Sequence, residues 1–589
     1  MKILIVPASL AATVALAAFA HHRAPLSSAS NASAPPPSPF TVLHAEWPDQ
    51  VMVKAPETFK PQVVTHAERL LFPEAHGDAT PKLKRMPRKQ GGPSGEIVEG
   101  TGALLNVTPG SSFTAGQVPW DPAIAVGNQY MLVVGDHSIA FCDKNGNTLP
   151  SKHGEATSMY ATDFFKPFWE AKRADGSTNP TNINAYLDFP ANAPYHVLPN
   201  GDLSQPGAIS DWYDSRALFD PVSRRFFFLS AARNLLWMND PNQYPHDKNN
   251  LYARRLFAIA VSRTEDPRDG FMMWMTTQSN YADWPRFAVE DGSVIVAHNA
   301  PQSGHPLAYV ISEADMLADK AQPANFEYYG SDFPGAVKVY PVTVYGPSPV
   351  AYFVGVPQPV WDPVQFYAFK RPASYAIKAP LKEATVKLGD PLEWQRDNPS
   401  WRNGLMYFCF NEQYVPDRLH VRVVRIPVRP SNSATGAIVA STNPPDYLDT
   451  FFGRNGPGDA PTDLVSYLAP SLAVNKQGNC VIAYGRVGVT TSKPLFPEAR
   501  YSLLYLGQPV PKPSKLIHKG NFMPDNAASL TAPRPVPPLL PTAFTDRLDF
   551  VSSCVDPADD ETMWVCHAFA DQTIGAHGDY RMVVAHVKP

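Results

Sequence analysis

The chain has few cysteines, a small net charge, no basic stripe and no long apolar run beyond its first twenty residues. Each absence closes off a class of function. Cys142, Cys409, Cys480, Cys554 and Cys566 are the five cysteines in 589 residues. The odd count leaves at least one unpaired, and none has the close spacing of a zinc site. Cys554 and Cys566 flank one turn, but directly opposed cross-strand cysteines are seldom bridged, so no disulfide is expected between them. All five fall in predicted strands, where a small buried hydrophobe explains them. The net charge of −4 comes without a Lys/Arg stripe that could follow a phosphate backbone, which argues against nucleic acid as partner. No segment after residue 20 is long and apolar enough to span a bilayer. GxSxG, HExxH and a phosphate-cradling glycine loop are all missing, so no standard hydrolase or nucleotide site can be assigned.

What the chain has in quantity is short apolar strands separated by turns. In Trp120 to Asn147, a run from Ala123 to Val126 ends at Gly127-Asn128, and a second from Tyr130 to Val134 ends at Gly135-Asp136-His137. A third, from Ile139 to Cys142, ends at Asn145-Gly146, a dipeptide suited to a tight hairpin. The second run is apolar at almost every position, so it must be covered on both faces. A small antiparallel sheet wanting a neighbour on each face is the unit of a β-propeller. Counterparts of that run begin at Phe226, Val294, Tyr352, Leu405, Val481 and Met563. The spacing is irregular and longer than the roughly 40–50 residues of standard repeats, so loops have been inserted. The expected fold is all-β, a seven-bladed propeller spanning residues 96–589. Tyr580 to Val587 reads as the third strand of the last unit, so its fourth should come from Glu96 to Asn106.

The 63 prolines lie between the apolar runs, as edges and turns require. Residues 1–20 have the layout of a secretory signal peptide, with one Lys, an apolar stretch and Ala18-Phe19-Ala20 before the cut. The expected location is therefore extracellular or periplasmic. Residues 21–39, rich in Ser, Ala and Pro, read as a disordered linker. Residues 40–95 read as an extension carrying the basic run from Pro81 to Lys89.

Several phrases resemble a family of secreted bacterial β-propeller proteins with sialidase- and WD-repeat-like architecture. They are DPAIAVGNQYMLVVGDHSIAFCDKNGN, DSRALFDPVSRRFFFLS, AIAVSRTEDPRDGFMMW, DWPRFAVEDGSVIVAHN, YLAPSLAVNKQGNCVIAYGR and DFVSSCVDPADDETMWV. The likeness covers residues 117–310 and 463–589 and implies the fold more than a reaction. His137 and His567 stand where the family favours amides or acids. Asp269-Gly270 and Trp274 resemble the aspartate box of sialidase propellers in composition only, and their spacing reads as a turn followed by a packed Trp.

In a propeller, second-to-third loops and the lead-ins to first strands share one face, where ligands usually meet the channel. The second-strand ends nominate His137, Arg233, His298, Glu412, Arg486 and His567, and the lead-ins add Arg286. Together these seven residues are the expected ligand-binding set. Trp120-Asp121, Tyr213 to Arg216, Asp283 to Arg286, Tyr340, Trp401-Arg402, Tyr467 and Asp546-Arg547 are the lead-ins. Polar groups there also satisfy strand ends, a structural role that suits Asp121, Asp214 and Asp283. Arginines and aromatics at one mouth suit a glycan or an extracellular protein, bound by a monomeric recognition or scaffold propeller. A glycoside hydrolase or polysaccharide lyase is the alternative: the paired carboxylates of the former cannot be assigned from sequence, and the base of the latter would be His137, His298 or His567 with Arg233, Arg286 or Arg486. No cofactor is expected. The turn holding Asp556, Asp559, Asp560 and Glu561 has oxygen ligands suited to Ca2+, although a solvated acidic turn explains it as well.

Overall fold

The computed structural model describes residues 43–46, 62–63, 96–97, 103–106, 121–135, 138–146, 149–150, 158–165, 209–234, 255–275, 283–300, 305–357, 363–388, 397–415, 418–432, 434–443, 446–452, 464–489, 494–521, 551–571 and 579–589. The signal-peptide and linker readings of residues 1–39, and the basic run at 81–89, lie outside them.

Seven small antiparallel sheets follow one another along the chain as the blades of a propeller. Each predicted middle run is the second strand of its blade. In chain order these are Tyr130–Gly135, Arg225–Asn234, Ser293–Ala300, Ala351–Pro357, Leu405–Val415, Cys480–Val489 and Met563–Asp571. Their apolar side chains project to both sides of the sheet, and both sides are covered. Seven apolar clusters account for the packing, one for each pair of neighbouring blades. The cluster joining Ile124, Val133 and Cys142 to Trp564, Cys566 and Val584 packs blade 7 against blade 1 and completes the ring. Burial of this kind contributes about 25 cal/mol per Å² of apolar surface, and it is the main force holding sheets that share few ladder bonds.

The last blade closes as expected. Ala103–Asn106 pairs antiparallel with Asp579–Lys588, setting Asn106 opposite Arg581 and Leu104 opposite Val583. Glu96–Ile97 lies farther along the same strand, opposite Lys588 and Val587. Leu43–Glu46 adds a fifth strand to blade 2 by pairing with Phe271–Met275. All five cysteines are free, and Cys554 stands opposite Trp564 rather than Cys566. The Asp269-Gly270 stretch is a turn as expected. Pro267–Asp269 forms a single 3-10 turn, Gly270 takes a φ of 102° that favours glycine, and Trp274 is fully buried with Nε1 donating to the Lys320 carbonyl at 2.9 Å.

The two faces of the ring differ in their connections. First-to-second turns are fully described, most of them short and the longest, 342–350, holding the strand Thr343–Val344: 127–129, 221–224, 291–292, 342–350, 403–404, 475–479 and 556–562. Most of the residues joining second to third strands on the opposite, loop-rich face lie outside the described residues, among them His137.

Candidate functional site: the channel and its charged layer

The stretches expected as lead-ins are largely parts of the first strands themselves. Tyr213 to Arg216 lies within Ile209–Asp220, Asp283 to Arg286 within Asp283–Glu290, and Tyr467 within Leu464–Val474. The correction has a physical cause. Each of these strands carries a register irregularity that absorbs an extra residue and lets pairing continue past it. At or beside it a non-glycine residue takes a left-handed φ, as at Asp214 (54°), Trp284 (53°) and Ala469 (45°), and Asp121 at the head of blade 1 does the same (32°). Neighbouring blades hold these kinks. The Trp284 N–H donates to Asp214 Oδ2 at 2.9 Å, and the Ala469 N–H donates to Asn411 Oδ1 at 2.9 Å.

This geometry places the predicted site residues. His567 is fully buried, with Nε2 3.1 Å from the Ala469 carbonyl and Nδ1 accepting from the Ala568 N–H at 2.9 Å. Burial lowers its pKa against the pull of its backbone partners, so the imidazole is neutral and acts as a clamp between blades 6 and 7. His298 is buried between blades 2 and 3, stacked on Tyr309 and tilted against Phe257. Arg486 donates to Glu498 Oε1 at 3.2 Å, an oxygen that Arg500 shares at 2.6 Å. Arg286 lies over the Tyr340 ring at 4.3 Å, with Nη1 donating to the Asp397 carbonyl oxygen at 3.0 Å. Arg233 and Glu412 fall in the second strands of blades 2 and 5, opposite Arg255 and His420 in the ladder. Of the seven, the structure places Arg286 beside the channel cavity and ties His298, Arg486 and His567 into or between blades.

A layer of charge crosses the channel. The Arg216 guanidinium, 7% exposed, faces Arg286, Asp397, Asp121 and Asp214. Burial and the Arg286 charge lower its pKa while the three carboxylates raise it, and it stays a cation at neutral pH. Asp397 was missed in the sequence. Burial, opposed chiefly by Arg216, moves its carboxyl up to about 6. It belongs to a strap, residues 397–399, tied to several blades. Ser553 N–H approaches its Oδ2 at 3.4 Å, Asn398 Nδ2 donates to the Phe287 carbonyl at 2.8 Å, and Thr343 N–H donates to the Pro399 carbonyl at 2.8 Å.

A cavity of about 320 Å³ lies against this strap, within the small-ligand range of roughly 300–1,000 Å³. Its polar wall includes Arg216, Thr343, Tyr345, Asp397, Asn398 and Arg402. Phe219 and Phe287 supply apolar surface. Arg402, 5% exposed, is held by the Asp560 carboxylate and by the Val474 carbonyl at 2.7 Å. The acidic turn near this wall is committed to protein partners. Asp556 accepts from Lys144 at 2.6 Å and Trp564 Nε1 at 3.0 Å, Asp559 from Thr562, and Glu561 from Lys476 at 2.9 Å. Among the described residues, no three His, Cys, Asp or Glu side chains converge as a metal site.

No helix among the described residues is long and apolar enough to cross a membrane. No family model and no curated protein matches the chain. Among solved structures it is similar to the Hadza microbial sialidase Hz136 at 8% identity, with 78% of this chain and 73% of that one covered and a TM-score of 0.32. It is similar to the parainfluenza virus 5 hemagglutinin-neuraminidase ectodomain at 6% identity, with 62% and 80% covered and a TM-score of 0.32. It is likewise similar to a subtype N11 neuraminidase-like protein of a flat-faced bat isolate at 6% identity, with 64% and 88% covered and a TM-score of 0.30.

Proposed function

We propose that this propeller is an extracellular or periplasmic recognition protein that binds a glycan, with the channel cavity as its principal site. The observation that carries the reading is the cavity wall, where hydroxyl, amide and guanidinium groups alternate with aromatic surface beside a carboxyl poised near neutrality. Sugar hydroxyls both donate and accept, and a wall offering Thr343, Asn398, Arg402 and Asp397 next to Phe219 and Tyr345 can match them on edge and face. His137, Arg233 and Glu412, at or near second-strand ends toward the loop-rich face, belong to the same proposal as a secondary contact surface. The test is retention of the purified protein on a panel of oligosaccharides and polysaccharides, scored alongside product release. Retention without release supports recognition, and no retention on any glycan rejects it.

A specific observation favours a second reading, a carbohydrate-active enzyme. Asp397, with its pKa near 6 beside a cationic Arg216, is able to exchange a proton at working pH. Steady release of shortened glycan, abolished in Asp397→Asn, would establish that reading.

A further inference from the structure

The cavity does not sit where a propeller ligand is ordinarily expected. Seven of its lining residues, Pro221, Thr343 to Gly346, Pro557 and Asp560, come from first-to-second turns. Pro221 and Gly346 are exposed. A Cβ added at Gly346 would meet nothing within 4 Å among the described residues, which leave open space at this rim. Exposure declines away from it. Wall residues Leu218, Val289 and Ser553 are half-buried, while Asp214, Arg216 and Arg286 in the charged layer are 3–7% exposed. The strap 397–399 forms a floor, bonded to Phe287 on one side, Ser553 on another and Thr343 on a third.

We infer that the ligand enters through the narrow-turn face, past Gly346 and Pro221, and that it is a compact saccharide or the end of a glycan chain rather than a polymer threaded through the channel. The ligand class rests on the glycan reading above, whereas the entry route rests on the rim and floor alone. A chain entering from this side meets the strap and stops, so only its terminal rings are held. The cavity volume fits that limit.

Cys554 provides a probe. It lines the cavity and is half-buried, whereas the other four cysteines are buried. Its pKa is pushed well above the usual range, chiefly by burial, so thiolate-directed alkylation would be slow. Ethylmercury chloride serves instead. It replaces the thiol proton with a sulfur–mercury bond and releases H+ and Cl−, and mass spectrometry locates the adduct. Gly346→Trp or Pro221→Trp should slow mercuration of Cys554 at least tenfold, while Lys338→Trp, near the loop-rich start of the first strand of blade 4, Ala336–Pro341, should leave the rate unchanged. Pro221→Trp keeps the test alive should the positive φ at Gly346 prevent that variant from folding. Rim variants that leave the rate unchanged, or slowing by Lys338→Trp in their place, would overturn the route. On the wild-type protein, a panel of mono- and disaccharides including maltose should contain a member that slows the reaction, and dextran at equal glucose content should not. Equal protection by dextran would overturn the compact-ligand class. If no sugar protects while the rim variants still slow mercury, the route stands and the glycan reading falls.

Discussion

Glu313 and Asp220 meet at the narrow-turn face between blades 2 and 3, both 5–6% exposed, with Ser223 and Arg371 close by. Burial, reinforced by the Asp220 carboxylate, moves the Glu313 carboxyl up to about 7. Its folded pKa lies above its unfolded value, so the fold holds this proton more tightly than the unfolded chain does. The stability it contributes is full below about pH 4.5 and is lost as pH rises toward about 7, with an upper bound of about 3 kcal/mol at 1.36 kcal/mol per pKa unit. His567 works in the opposite direction. Its folded pKa is depressed, so its contribution is present above the usual histidine range and is lost on acidification. Urea titrations of wild type, Glu313→Gln and His567→Gln between pH 5 and 8 should separate the two. The Glu313→Gln curve should lose the decline toward pH 7, and an unchanged decline would remove Glu313 as its source. His567→Ala should cost about 2–4 kcal/mol, because it leaves a void and an unanswered Ala469 carbonyl. The same variant should leave Cys554 mercuration unaltered, and a change there would mean that His567 reaches the cavity.

The second strands were legible because a strand apolar on both faces leaves few architectures open, and all seven were found. The kinks in the first strands were not. A left-handed residue announces itself in sequence when it is glycine, and here Asp214, Trp284 and Ala469 occupy the position instead. Without the kink, polar text such as Tyr213 to Arg216 reads as a lead-in rather than as strand. His567 likewise looked like a mouth residue because nothing local shows that it reaches sideways to Ala469. Asp397 lay in a stretch without period and gave no signal. The closing strand was legible because a three-stranded last unit lacks one partner, and it supports a prediction of its own. Removing residues 96–106 exposes the edge of Asp579–Lys588, so amide exchange there should rise by orders of magnitude and the shortened protein should aggregate. Unaltered exchange would mean that the closing strand adds nothing to the blade.

The ring as a whole is held by seven apolar interfaces, with ion pairs and a hydrogen bond to a carboxylate added at the narrow-turn face. Lys144–Asp556 joins blades 1 and 7, Asn128 donates to Glu265 between blades 1 and 2, and Arg402–Asp560 reaches from blade 5 to blade 7. Partly exposed pairs are worth little singly, about 0–1 kcal/mol, so Lys144→Ala should barely move the melting temperature. The apolar interfaces set the cooperativity. Hydrogen exchange should find the seven second strands comparably slow, blade 7 included. A distinctly faster blade 7 would show that the ring opens at its seam before it unfolds.

That seam couples the order of synthesis to the order of folding. The strand that completes blade 7 precedes all seven blades in the chain and its partner follows six of them, so those six must emerge before the two can meet. Six blades can stack as they appear, but the ring locks only when the final strand arrives. This is a contact of very high sequence separation, with the slow step such contacts impose. An unsealed blade 7 meanwhile presents a bare strand edge to any other nascent copy. A chaperone that shields Ala103–Asn106 until release would therefore raise the yield of folded protein more than one acting on any later blade.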